Sequence, residues 1–443
     1  MLLVARLGMT LTLFVVLLAI AAAVAVASPV AFAVIVLAVA PLPDVGALVG
    51  VSVPVGFDPV TLLVAVGAGM ALQRGVSFPF RNEPALVWLT CLGLGLLAIS
   101  WFRTYGQAAA TASSLALLVK PAIIVAGGVL AVQMLPRTRL EETLACALGA
   151  ILLVIGLSVA LQRLGLYTTV AQEANAEKLQ LKQYGGVMIS GNDAGAIVAV
   201  FTLPAFVLLR SVGRPMLAAT VLLASVPVLL ITMARASMIA LVCGLAALAV
   251  LDRRAARGAR VALGVVGAAA IWTATIGRPQ VDILVTNLQS TSGDANATLS
   301  GRSVIWDEVP RFLHQADHGW LVGGGLDSFK TYAETALGNA FATHNAYFAY
   351  LTNGGAIMLV AAVALLVAMW NAAGRAKESV RVALRTALIS IAVLGLSANV
   401  DVFTRSAAWI WPLAAAAVIM RRSVDLIPPV RAARPRRTAP PCD

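Results

Sequence analysis

The sequence predicts an all-α, polytopic helical membrane protein of about 12 transmembrane helices, with one large outward loop that contains short helices. Three observations carry this reading. First, only 12% of the 443 residues are charged and 60% are hydrophobic, with a mean hydropathy of +0.91, whereas a soluble domain carries roughly 25% charged residues. Second, long apolar runs recur from end to end, among them Ala85–Ile99, Leu144–Leu161, Ala196–Leu209 and Ile357–Met369. With their flanks they approach the ~20 residues a helix needs to cross hydrocarbon, and they lack the alternation of barrel strands. Third, Lys and Arg gather in alternate short loops, the signature of cytoplasmic connections.

Taken in order, residues 9–41 form a long apolar stretch around Ser28-Pro29. Its length and the spans that follow mark residues 9–27 as membrane-embedded and not as a cleaved leader. Basic groups then appear at Arg74/Arg81, Arg137/Arg139, Arg210/Arg214, Arg253/Arg254/Arg257/Arg260 and Arg375/Lys377/Arg381/Arg385. A last cluster runs from Arg421 and Arg422 to Arg431, Arg434, Arg436 and Arg437. These loops and both termini are expected in the cytoplasm. The outward connections are then roughly 42–58, 103–112, 163–190, a tight turn at 233–236, 277–346 and 399–405. The organisation expected is a bundle over 1–276 with about nine spans, an outward loop over 277–346, three spans over 347–421 and a basic tail over 422–443. The net charge of +12 is read as a topology anchor at the membrane surface, with lipid and not nucleic acid as its partner. Cys91, Cys146 and Cys243 sit inside apolar runs and Cys442 in the tail, so no disulfide or zinc pattern is formed.

Chemistry is expected in residues 277–346, the only long polar excursion. In "SGRSVIWDEVPRFLHQ", Ile305, Val309, Phe312 and Leu313 fall on one helical face. "GWLVGGGLDSF" (319–329) follows, with glycines for a sharp turn, and "ATHNAYFAYLTNGG" returns the chain to the membrane. The loop acids Asp282, Asp294, Asp307, Glu308, Asp317, Asp327 and Glu334 are scattered without the spacing of a metal-binding loop.

This order of motifs resembles the outward loop of the O-antigen ligase and polymerase superfamily. Two further stretches are similar to it: "TMARASMIALV" (232–242), with an arginine at an outward turn, and "NVDVFTRSAAWIWPL" (399–413), with an acidic residue before the last span. The likeness covers the layout and roughly residues 190–420. Ala234 departs from it, since many members have Ser there. The resemblance implies transfer of a sugar chain from undecaprenyl pyrophosphate to a hydroxyl acceptor, the lipid A–core oligosaccharide for a ligase. It places the reaction at the periplasmic face of the inner membrane and requires neither a nucleotide nor a metal.

The residues suit that task on their own terms. A departing pyrophosphate needs its charge met, and arginine does so with planar, bidentate, permanently charged donors. Arg235 and Arg302 are the candidates, against the ordinary readings of an interfacial and a solvated charge. His344 is the candidate general base for the acceptor hydroxyl, against an interfacial, hydrogen-bonded histidine. His314 and His318 are read as solvated. Asn345 is expected to hold the junction. Asp401 would orient His344 or pair an arginine, an ion pair with Arg405 being the alternative. Lys120 is the one basic residue deep in an apolar run, and it is placed on the lipid phosphate path, with snorkelling as the alternative. Arg103 is a further outward cation. The ligase is the favoured reading, an O-antigen polymerase the nearest alternative, and a secondary transporter the reading from another class. A transporter would predict inverted repeats and polar residues at the membrane midplane, and no matching halves are visible.

Overall fold

The computed structural model describes residues 24, 27–42, 59–105, 112–166, 184–252 and 302–421, apart from 189, 233, 339 and 340. The expected spans before residue 24 and at 253–276, the first part of the outward loop and the basic tail lie outside the described residues. Among those described the chain is helical, with no strand beyond one isolated bridge between Ala376 and Arg421.

Eight helices precede the loop: α1 (Pro29–Val39), α2 (Pro59–Gln73), α3 (Pro84–Tyr105), α4 (Ala112–Gln133), α5 (Leu140–Arg163), α6 (Gly191–Ser211), α7 (Pro215–Thr232) and α8 (Arg235–Leu251). Three lie in the loop: α9 (Arg302–Gln315), α10 (Gly319–Val322) and α11 (Ser328–Leu337). Three close the bundle: α12 (Ala346–Gly374), α13 (Glu378–Gly395) and α14 (Ile410–Ile419). Six helices among the described residues, α3 to α7 and α12, are long and apolar enough to cross a membrane. This is a multi-pass membrane protein. The dozen spans expected from loop counting exceed those six. Helices α1, α8 and α14 are apolar but short, and α13 carries Glu378, Arg381 and Arg385. Of these α14 is enclosed. Ile410 to Ala417 of α14 are fully buried, and a helix with no lipid contact need not match bilayer thickness.

Helix α6 is the hub, packed against α5, α7, α8 and α13 and buried along nearly its whole length. Ser190 caps it by accepting the Asp193 N–H at 3.1 Å, and Asp193 sits in the first turn where the dipole favours an acid. The scarce acidic residues tie one end of the bundle together. Glu83 meets Arg375 at 3.3 Å and also Arg421; Glu141 meets Lys377 at 2.9 Å; Glu142 meets Arg214 at 2.8 Å; Asp252 meets Arg210 at 3.3 Å. Pairs with one exposed partner are worth about 1 kcal/mol or less each, so their service is to fix which helix ends lie together.

The loop docks on the opposite end. The predicted face of α9 is the buried one: Ile305, Val309, Phe312 and Leu313 cluster with Phe329 and Ala333 of α11. Glu308 joins the two helices by accepting from Arg311 at 2.6 Å and from the Tyr332 hydroxyl at 2.8 Å. The glycine-rich turn between α10 and α11 is seated in a break of α12. Gly355 stands at φ 66°, ψ −164°, a region open essentially to glycine alone. The break frees carbonyls inside an apolar helix, where each needs a donor. Gly324 N–H donates to Thr352 O at 2.8 Å, Gly325 N–H to Asn353 O at 3.1 Å, and Ser100 Oγ to Asn353 O at 2.8 Å. A Cβ on Gly355 would collide with the Leu321 backbone. Gly355→Ala is therefore expected to destabilise the protein by about 3 kcal/mol or more. The thermal unfolding midpoint in detergent measures it. Gly95→Ala, on an α3 position with open space around it, is the control and should be tolerated.

Candidate functional site

Four segments meet where the loop rejoins the bundle: the start of α8, the start of α9, the junction at 341–346 and the connection at 396–409. The junction exposes His344 between two buried neighbours. Thr343 and Asn345 are buried. The Thr343 hydroxyl lies 3.0 Å from the Asn345 carbonyl and 3.2 Å from Asn399 Oδ1. Asn345 caps α12, its Oδ1 accepting the Phe348 N–H at 3.0 Å, and its Nδ2 donates to Leu396 O at 2.9 Å. Ala346 N–H reaches Ala398 O at 3.2 Å, and the Tyr347 hydroxyl reaches Ala392 O at 2.8 Å. With both neighbours pinned, His344 takes a left-handed backbone conformation, φ 49°, and is exposed. A non-glycine residue pays for that conformation, and such strain gathers at functional sites.

Arg302 opens α9 and donates from Nη1 to Ser397 O at 2.6 Å. Arg235 opens α8 directly after the turn, and that turn packs closely on α6: a Cβ on Gly195 would collide with the Cβ of Ala234. Desolvation lowers the Arg302 guanidinium below its ordinary range, and the positive charge of Arg235 lowers it further. Desolvation likewise depresses the His344 imidazole, with Arg302 as the second cause. Three of the predicted residues, from three separate segments, thus act on one another. Two positive charges near enough to act on each other favour an anion close by.

Asp401 lies in the adjoining connection. Its Oδ1 accepts the Phe403 N–H at 2.7 Å, and the Tyr350 hydroxyl bonds to its carboxyl group. Enclosure pushes the carboxyl up to about 6, against the opposing pull of those hydrogen bonds. Arg103 donates to Val322 O at 2.7 Å, tying the end of α3 to α10. Lys120 sits partly buried on α4 just before Pro121. Among the described residues, no three His, Cys, Asp or Glu side chains are grouped to hold a metal ion.

Two residues outside the candidate set have evident roles, and the sequence marked both only loosely, Trp306 as the tryptophan of "SGRSVIW" and Tyr350 as one of the interfacial aromatics with Tyr347 and Phe348. Trp306 donates from Nε1 to Thr343 O at 2.8 Å and meets Phe348 edge-on at 5.9 Å. Tyr350 is 6% exposed and holds Asp401 from inside the bundle. Trp306 falls four residues after Arg302, one helical turn on, whereas nothing in the spacing of Tyr350 places it on Asp401 instead of at the interface.

Residues 219–363, about a third of the chain, match a family model described as O-antigen ligase. The match includes Arg235, Arg302, His344 and Asn345, while Arg103, Lys120 and Asp401 lie outside it. The resemblance drawn from the loop motifs is borne out. No curated protein matches the chain.

Proposed function

We propose that this chain, whose residues 219–363 carry an O-antigen ligase family domain, transfers polysaccharide from undecaprenyl pyrophosphate to the lipid A–core oligosaccharide at the periplasmic face of the bacterial inner membrane. The observation that carries the reading is geometric: Arg302 reaches Ser397 O at 2.6 Å, in the same connection that receives Asn345 at Leu396 O and Ala346 at Ala398 O from the junction around His344. The charge of Arg302 bears on His344, as that of Arg235 bears on Arg302. The acceptor hydroxyl oxygen attacks the anomeric carbon on the face opposite the pyrophosphate. The new glycosidic bond forms as the anomeric carbon–oxygen bond to pyrophosphate breaks, so the configuration inverts. Undecaprenyl pyrophosphate departs as an anion, met by Arg235 and Arg302, whose fixed charge needs no reorganisation at that moment. His344, whose imidazole its surroundings shift toward the neutral form, takes the acceptor proton. Arginine charge does the work a divalent cation would otherwise do, so the reaction is metal-independent and uses no cofactor. Asn345 and Asp401 hold the backbone of the junction and of the adjoining connection, and Arg103 and Lys120 accompany the lipid-linked donor.

The test is deletion of the protein followed by electrophoresis of lipopolysaccharide. Loss of all long-chain material with accumulation of lipid-linked polymer supports the ligase. Capping by single repeats would assign a polymerase of the same superfamily, and unchanged bands would exclude both. Orientation is checked with a reporter inserted after Gly324, which should be active only in the periplasm, and one after Val430, which should be active only in the cytoplasm.

A further inference from the structure

Arg302 and Trp306 lie four residues apart on α9, so one helical turn stacks them on the same face. Both reach backbone carbonyls beside the junction. Arg302 takes Ser397 O at 2.6 Å, in the connection that also receives Asn345 at Leu396 O and Ala346 at Ala398 O. Trp306 takes Thr343 O at 2.8 Å, the carbonyl of the peptide bond that enters His344. Its ring packs at 70° to Phe348, in the first turn of α12. The peptide that Trp306 grips is the one whose orientation puts His344 at φ 49°.

We propose that Trp306 is a positioning residue: its indole N–H holds the 343–344 peptide so that the His344 ring is presented at a fixed separation from the Arg302 guanidinium. One rigid turn of α9 then sets the distance between the anion-holding group and the base. Without the indole N–H, the Thr343 carbonyl loses its tether to α9. His344 is free to relax toward an ordinary backbone conformation, away from Arg302. The charged group that bears on His344 is Arg302 of α9, on which Arg235 of α8 bears in turn. The activity readout rests on the function proposed above; the titration readout does not.

The experiment is Trp306→Phe, which keeps an aromatic ring against Phe348 and deletes only the donor. In transfer assays kcat should fall about tenfold, the scale of one lost hydrogen bond expressed at the transition state, with KM for the lipid-linked donor unchanged. In parallel, the protein is labelled at its three histidines and titrated by NMR, His344 being assigned from a His344→Asn sample. The His344 titration in Trp306→Phe should move up toward the ordinary imidazole value as the ring leaves Arg302. Trp320→Phe, at an exposed α10 position, should change neither. An unmoved titration overturns the proposal, including the case in which kcat falls together with thermal stability, because that marks a merely structural tryptophan. If wild type proves inactive as a transferase, the titration still decides the positioning claim by itself.

Discussion

Replacing Arg302 by Ala is expected to lower glycan transfer by about 10²–10³-fold, the scale for one donor aimed at developing charge, and Arg235→Ala to do the same. The structure sets a bound on the competing explanation. Among the described residues Arg302 makes one hydrogen bond to the fold, at Ser397 O, worth about 1 kcal/mol, which is small beside the packing of α6 with its four neighbours. A transfer defect of that size with normal membrane insertion and a near-normal unfolding midpoint is therefore a defect of the site. Arg302→Lys and Arg235→Lys should recover only part of the loss, because an ammonium restores charge but not the planar fork. Activity in wild type should survive a chelator. Removing the Arg302 charge should also raise the His344 titration, since that charge is one of the two causes depressing it. Full transfer by both alanine variants, or a strict need for divalent metal, would sink the mechanism.

Much of this site is legible in the sequence because charge and punctuation report it directly. Arg235 follows a tight turn between two apolar runs, and His344 follows a polar stretch and precedes another apolar run. Their common side of the membrane comes from counting basic loops, an argument that needs no contacts. The amphipathic face of α9 is read from helical spacing for the same reason: burial repeats with the helix period. What was not legible depends on where remote backbone lies. "ATHNAYFAYLTNGG" reads only as the chain's return to the membrane, and only the arrival of Gly324 and Gly325 on the freed carbonyls explains the break at Gly355. Arg103 reads as an outward cation for an anionic ligand, yet it donates to a main-chain carbonyl more than two hundred residues away. Asp401 reads as a partner for His344 or an arginine, while the group found on it is a tyrosine from inside the bundle. Span number suffers likewise, because hydropathy cannot tell a short enclosed helix such as α14 from one that faces lipid.

Loss of the His344 imidazole is expected to cost about 10²–10⁴-fold in kcat, the range for general-base assistance. The backbone decides which variant tests it cleanly. His344 holds φ 49°, where Ala costs roughly 1–2 kcal/mol and Asn is among the residues that accept it most readily. His344→Asn thus removes the base while keeping the junction, and His344→Ala adds a modest conformational penalty. Both should be expressed normally, and the transfer loss should be nearly equal in the two. If it tracks backbone strain instead, so that Asn is near wild type and Ala is not, the residue shapes the junction and does no proton chemistry. The pH profile supplies the second arm. A base must be unprotonated to act, so the rate falls tenfold per pH unit below the imidazole pKa. Desolvation and the Arg302 charge lower that pKa from 6.5, which carries the plateau to more acidic pH than an ordinary histidine would allow. Asp401, raised to about 6, titrates in the same region and must be separated from it. In Asp401→Asn the acid limb should persist, at whatever reduced rate, because the imidazole remains. In His344→Asn it should vanish from the residual activity. The decisive measurement is rate against pH for wild type and these two variants, using purified protein, lipid-linked donor and core acceptor. An acid limb that survives in His344→Asn and disappears in Asp401→Asn would hand the proton to the carboxylate and reduce His344 to an interfacial spacer.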